Sequence, residues 1–150
     1  MKRPIIIGLG NPNRGDDAVG RVVAQILKSH GVCSYDIEEA IGEATEILSL
    51  LEGREHVTLI DACVSGAPVG TIHQFDMAID GAPNKGSALS SHGLGLAQAI
   101  GIGRALGLLP KHCVVFAIEA ASFEHGSPLT PEVEEATVRL LARISAQLLG

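Results

Sequence analysis

Two neighbouring carboxylates, Asp16 and Asp17, follow a glycine-rich turn that closes the apolar run from Pro4 to Leu9. A third carboxylate, Asp61, ends the apolar run Val57-Thr-Leu-Ile60, and His92 closes a stretch rich in glycine and serine. Adjacent residues do not both face one small site, so one acid of the first pair is expected to start the next helix. A carboxylate there stabilises the helix by about 1 kcal/mol. Asp16 is given that capping role, and Asp17 is expected to turn inward. Asp17, Asp61 and His92 then form an incomplete coordination shell of two carboxylates and an imidazole. Oxygen and nitrogen donors with open positions suit a divalent transition metal acting on a bound water or carbonyl.

Other chemistry is weaker. Cys63 lies two residues after Asp61 and invites pairing with His92 as a nucleophile, but unpaired cysteines more commonly serve as small buried hydrophobes, and that reading is adopted. His56, His73, His112 and His125 have no ligand spacing and are read as structural or surface residues. Glu119 and Glu124 are read as acids that support the site or order a loop.

The surrounding pattern must bring these groups together. Pro4 to Leu9 is a continuous apolar run, as in a strand buried on both faces of a parallel sheet. From Asp17 the apolar positions Val19, Val22, Val23, Ile26 and Leu27 follow helical spacing to about His30, with Gly31 as the stop signal. Cys33, Tyr35 and Ile37 alternate with polar residues, the pattern of a strand near a sheet edge. A short helix is expected from Glu43 to Glu52, a strand from Val57 to Ile60 ending at Asp61, and another from Thr71 to Phe75. Residues 80 to 93 read as a long loop ending near His92, followed by a helix from Leu94 to about Leu108. Cys113 to Ile118 is the last strand, with Glu119 at its exit, and Thr130-Pro131-Glu132 starts the final helix. Strands alternating with helices imply a single α/β domain over residues 1–150: three layers, α/β/α, around a mostly parallel sheet of about five strands. In such sheets ligands sit beyond the carboxyl ends of the strands, where Asp17 and Asp61 are expected and where His92 can arrive from its loop.

Composition narrows the function. The chain has 150 residues, 46% hydrophobic, enough for one sizeable core. Its net charge of -6, with basic residues scattered, argues against nucleic acid, which needs a phosphate-neutralising surface. Cys33, Cys63 and Cys113 are far apart and form no Cys-x-x-Cys pair, in keeping with a reducing compartment. The apolar run after Lys2 and Arg3 is too short for a signal peptide or membrane span, so a cytoplasmic protein with no membrane partner is expected. Gly8-Leu-Gly10 after the first strand has the start of a dinucleotide fingerprint, but the third glycine would fall at Asn13, and Asp16 and Asp17 bring negative charge where a pyrophosphate would sit.

Several blocks together resemble the hydrogenase maturation endopeptidases: Gly8-Leu-Gly-Asn11 with Gly15-Asp-Asp-Ala-Val-Gly20, Leu59-Ile-Asp-Ala62, Ser90-Ser-His-Gly-Leu-Gly95, and Ile118-Glu119 through Leu129-Thr-Pro131. The resemblance spans nearly the whole chain. It implies removal of a C-terminal extension from a [NiFe] hydrogenase large-subunit precursor, with Asp17, Asp61 and His92 contacting nickel that the precursor supplies. The chain is expected to act as a monomer. Two departures stand out: the first acid, Asp17 here, is commonly glutamate in the family, and Glu39-Ala-Ile-Gly42 replaces an Asp-Gly-Gly-Thr-like turn. Two other readings are kept. Ile7-Gly-Leu-Gly-Asn-Pro12 is similar to the opening of bacterial peptidyl-tRNA hydrolases, although Arg14-Gly-Asp-Asp17 stands where that family leads to a histidine. The second is a nickel-recognising maturation chaperone that does not cut.

Overall fold

In a computed structural model, described here for residues 2–77, 88–89 and 93–149, a six-stranded sheet is sandwiched between two pairs of helices. The strands are β1 (Ile5–Leu9), β2 (Asp36–Ala40), β3 (His56–Val64), β4 (Ile72–Asp76), β5 (Ala88–Leu89) and β6 (His112–Glu119). The helices are α1 (Val19–Ser29), α2 (Ala44–Leu51), α3 (Gly93–Ala105) and α4 (Pro131–Ile144). The main path across the sheet is β2-β1-β3-β6-β4, with β5 attached to β3. The first four strands on this path are parallel, whereas β4 runs antiparallel to β6 and β5 antiparallel to β3. The expected three-layer, mostly parallel sheet is therefore present, with two-residue β5 as an addition to the five.

Strand parity divides the core. Ile5, Ile7, Leu9, Val57, Leu59, Cys113 and Val115 pack with Ile47, Leu51, Leu96 and Ile100 of α2 and α3. Ile6, Ile60, Phe116 and Ile118 face the other way, onto Val19, Val23 and Leu27 of α1 and Val133, Ala136, Leu140 and Ile144 of α4. Because side chains alternate along a strand, apolar residues at every position of β1 are what burial on both faces requires. No helix among the described residues is long and apolar enough to cross a membrane.

The boundaries differ from expectation where tertiary contacts override local pattern. The second strand begins at Asp36, not Cys33, because pairing with β1 starts at Ile5↔Asp36; Cys33 itself is exposed. β2 is nonetheless an edge strand, as its wetter pattern implies. β3 does not stop before Asp61. It continues to Val64 because β6 goes on pairing with it as far as Cys63↔Glu119. The first helix is preceded by a 3-10 turn, Gly15–Ala18, so Asp17 lies in that turn and not in the α-helix.

Candidate active site

The chain crosses from β1 through α1 to β2 on one side, while β3, the other neighbour of β1, is followed by strands on the opposite side. The carboxyl ends of β1 and β3 therefore flank a topological switch point, the position at which open α/β sheets form a crevice. Pairing between the two strands ends at Gly8↔Ile60, and the next residue of β3 is Asp61. Asp61 is fully buried and accepts a hydrogen bond from the Ala62 N–H at 2.8 Å on Oδ1. By parity with Val57 and Leu59, it faces the layer of α2 and α3.

Asp17 reaches the same rim from β1. The turn after the strand brings the 3-10 segment against β3, and Asp17 is fully buried, with the Asn11 N–H donating to its Oδ2 at 3.2 Å. Glycines permit this approach. Gly10 has φ +140°, and a Cβ there would lie 1.9 Å from the Asp17 carbonyl oxygen; at Gly20 a Cβ would lie 2.3 Å from the Ile60 carbonyl oxygen. Any side chain at either position would push the acid-bearing turn off the sheet.

Asp16 does not cap helix α1. Its carboxylate, also fully buried, accepts from the N–H groups of Ala121 (2.9 Å), Ser122 (3.2 Å) and Thr130 (2.7 Å) and from the Thr130 hydroxyl. Its own N–H donates to the Ser122 carbonyl at 2.9 Å. Asp16 thus fastens the first turn to the segment between β6 and α4, and Thr130 spends its hydroxyl on Asp16 rather than on its own helix. Arg14, whose guanidinium lies 5.8 Å from the Phe123 ring centre, and Asn13, whose carbonyl accepts from the Gly126 N–H at 2.7 Å, extend the same junction.

His92 lies outside the described residues, as does most of the expected loop from 80 to 93. Among the described residues, the structure brings Asp17 and Asp61 to the ends of adjacent strands.

Glu119, by contrast, has company that spacing did not reveal. On the α2/α3 face it is the register partner of Cys63, and His73 of β4 reaches it from the other side. The Ser65 N–H and hydroxyl donate to it at 2.7 and 2.5 Å, His73 Nε2 stands 3.1 Å from Oε1, and the Cys63 thiol 3.6 Å from the same oxygen. Burial alone raises the Glu119 pKa, but the bonds from Ser65, His73 and Cys63 together outweigh it, leaving the carboxyl below its ordinary value. Burial, reinforced by the charges of Glu119 and Asp61, pushes the Cys63 thiol far up, away from the ready thiolate that a nucleophilic role needs. His73 is therefore neither a bare surface residue nor an isolated one. The available signal was parity: Cys63, His73 and Glu119 all occupy positions on one sheet face, a relation that appears only once register is known. Glu124 is exposed, with its backbone N–H on the Ser122 hydroxyl. His56 and His112 stack at 4.4 Å at the opposite end of the sheet and take no part.

Comparison with known proteins agrees with this architecture. The family model described as hydrogenase maturation protease (HycI) matches residues 34–147. Over 151 aligned positions the chain is 28% identical to the hydrogenase 2 maturation protease of Escherichia coli (strain K12), covering 97% of this chain and 90% of that protein. The solved structure of the hydrogenase maturating endopeptidase HybD from E. coli superposes with a TM-score of 0.81 at 26% identity, covering 99% of this chain and 93% of that one. The [NiFe] hydrogenase maturation protease HybD from Thermococcus kodakarensis, at 23% identity and a TM-score of 0.75 over 99% of this chain and 100% of that one, shares the fold. With more than half its length matched by that family and the same doubly wound sheet beneath it, the chain belongs to the hydrogenase maturation proteases, a family of endopeptidases.

Proposed function

We propose that this protein removes the C-terminal extension of a [NiFe] hydrogenase large-subunit precursor after nickel insertion, and that Asp17, Asp61 and His92 contact the nickel the precursor carries. The observation that carries the proposal is the pair of fully buried carboxylates flanking the β1/β3 switch point. Buried carboxylates are costly to hold in a fold, and they are retained where a cation or hydrogen bonds offset that cost. Two carboxylates and one imidazole, with no thiolate in the set, leave positions open for donors from the precursor, so the metal is substrate cargo and not a resident cofactor. Asp17 and Asp61 would orient the metal and the adjacent peptide. The metal supplies polarisation of the scissile carbonyl or activation of a water. Asp17 is one methylene shorter than glutamate, and its turn packs directly against β3.

Membership of the protease family favours this reading over a peptidyl-tRNA hydrolase-like esterase, as does the net charge of -6. Action as a monomer in the cytoplasm belongs to the same proposal. The deciding measurement is mass spectrometry of a hydrogenase large subunit coexpressed with this chain. A protease shortens the subunit, whereas a maturation chaperone that only recognises nickel leaves its mass unchanged. With purified components, nickel-loaded precursor is cut and apo precursor is not; cutting of both at similar rates would overturn the role of nickel. His92→Ala abolishes processing while leaving the circular dichroism spectrum intact.

A further inference from the structure

We infer that Cys63, His73 and Glu119 form a second metal site, distinct from the Asp17–Asp61 rim, that takes a divalent cation of the zinc class. Three observations converge on it. The ligand atoms, Cys63 Sγ, His73 Nε2 and a Glu119 carboxylate oxygen, all lie within 4.8 Å of one another. The separations also suit tetrahedral coordination. Bonds of about 2.3 Å to sulfur and about 2.0 Å to nitrogen or oxygen put the donors roughly 3.5 Å (S to O) and 3.3 Å (N to O) apart. The corresponding distances here are 3.6 Å and 3.1 Å, close to those values.

Support around the ligands is already built. The Ser65 N–H and hydroxyl fix the Glu119 carboxylate, the kind of outer hydrogen bonding that orients metal ligands. Glu119 and Cys63 are each 2% exposed, and the His73 side chain is 25% exposed, which leaves an entry on the β4 side. In the metal-free protein the Cys63 thiol donates to Glu119 Oε1 and His73 Nε2 stands within hydrogen-bonding distance of the same oxygen, so the three donor atoms are already gathered together. On binding, the thiol proton is released to solvent and sulfur donates its lone pair to the ion, while the neutral imidazole coordinates through Nε2 in the tautomer that carries its one proton on Nδ1, any proton on Nε2 exchanging to Nδ1 through solvent on the exposed side. No electron transfer is involved. The thiolate selects against magnesium and calcium, which require oxygen donors, and in favour of zinc or cobalt.

The site joins three strands. Cys63 belongs to β3, Glu119 to β6 and His73 to the edge strand β4, so an ion there pins the sheet edge. It also lies where β5 pairs with β3, at Cys63↔Leu89.

Cobalt(II) titration of the purified full-length chain carrying Cys33→Ser, which removes the exposed thiol, tests the inference. One equivalent of cobalt is expected to give a near-ultraviolet sulfur-to-cobalt charge-transfer band, bleached by one equivalent of zinc. His73→Gln should weaken cobalt binding at least about 10-fold, and Cys63→Ser should abolish the band, while Asp17→Asn leaves it unchanged. Zinc should raise the melting temperature of the parent and not of His73→Gln. Absence of the band, or a band that survives both Cys63→Ser and His73→Gln, would overturn the site. Because His73 is partly exposed, His73→Gln remains informative even if Cys63→Ser fails to fold. The outcome is independent of whether the chain processes hydrogenase precursors.

Discussion

Asp16 and Asp17 are consecutive, identical in side chain and equally buried, yet they belong to different parts of the molecule. The Asp16 carboxylate gathers N–H groups from residues 121, 122 and 130, in the segment between β6 and α4. That of Asp17 is directed at the turn leaving β1 and sits beside β3. Burial alone therefore says little about an acid's role. What distinguishes the two is whether their partners lie in a distant segment that needs fastening or at the crevice where a ligand arrives.

The contrast predicts opposite consequences for neighbouring substitutions. Asp17→Asn and Asp61→Asn should each lower processing of nickel-loaded precursor by about 100-fold or more, a magnitude typical of losing a group that stabilises charge at a reacting centre. Their urea unfolding curves should stay close to that of the parent. Retained processing by Asp17→Asn would dissolve the distinction from Asp16. Asp16→Ala should instead unfold more easily, by about 2–4 kcal/mol in urea denaturation, because it leaves several buried N–H groups without an acceptor. Gly20→Ala tests the link between turn and sheet: the new methyl meets the carbonyl oxygens of Ile60 and Leu9. An expected loss of about 1–3 kcal/mol should come with slower processing, since the displaced turn carries Asp17.

The smallest effect concerns Glu39, which ties β2 to α1 through Arg21, Gln25 and Lys28. Burial raises its pKa, but those three partners together outweigh it and leave the carboxyl below its ordinary value of 4.5. A lowered folded-state pKa means the contribution is complete above the unfolded value and is lost as the pH falls through the folded one. Glu39→Gln should cost about 1 kcal/mol near neutral pH, and its thermal midpoint should converge with that of the parent in acid. Processing should be unchanged, as the Glu39 carboxylate is spent on Arg21, Gln25 and Lys28 of α1.

Much of this was legible in the sequence, for identifiable reasons. The two-sided apolar run of β1 and the helical stripe of α4 follow from periodicity, and periodicity reports burial directly. The end of β3 was misplaced because Asp61 interrupts the apolar run, although the backbone goes on pairing with β6 beyond it. Hydrogen-bond ladders are indifferent to the side chain they carry. Asp16 reads as a helix cap in the sequence because its partners lie more than a hundred positions away and no local pattern encodes them. Cys63, His73 and Glu119 escaped for the same reason, since they meet only through the registers of β3, β6 and β4.

The Asp16 clamp also sets a timetable. Its bond to Thr130 spans 114 positions, so a chain emerging from the ribosome possesses Asp17 and Asp61 long before the segment that holds their turn in place has been made. Contacts of such wide separation are established late in folding, and proteolytic competence should accordingly arise only once synthesis has passed the start of α4.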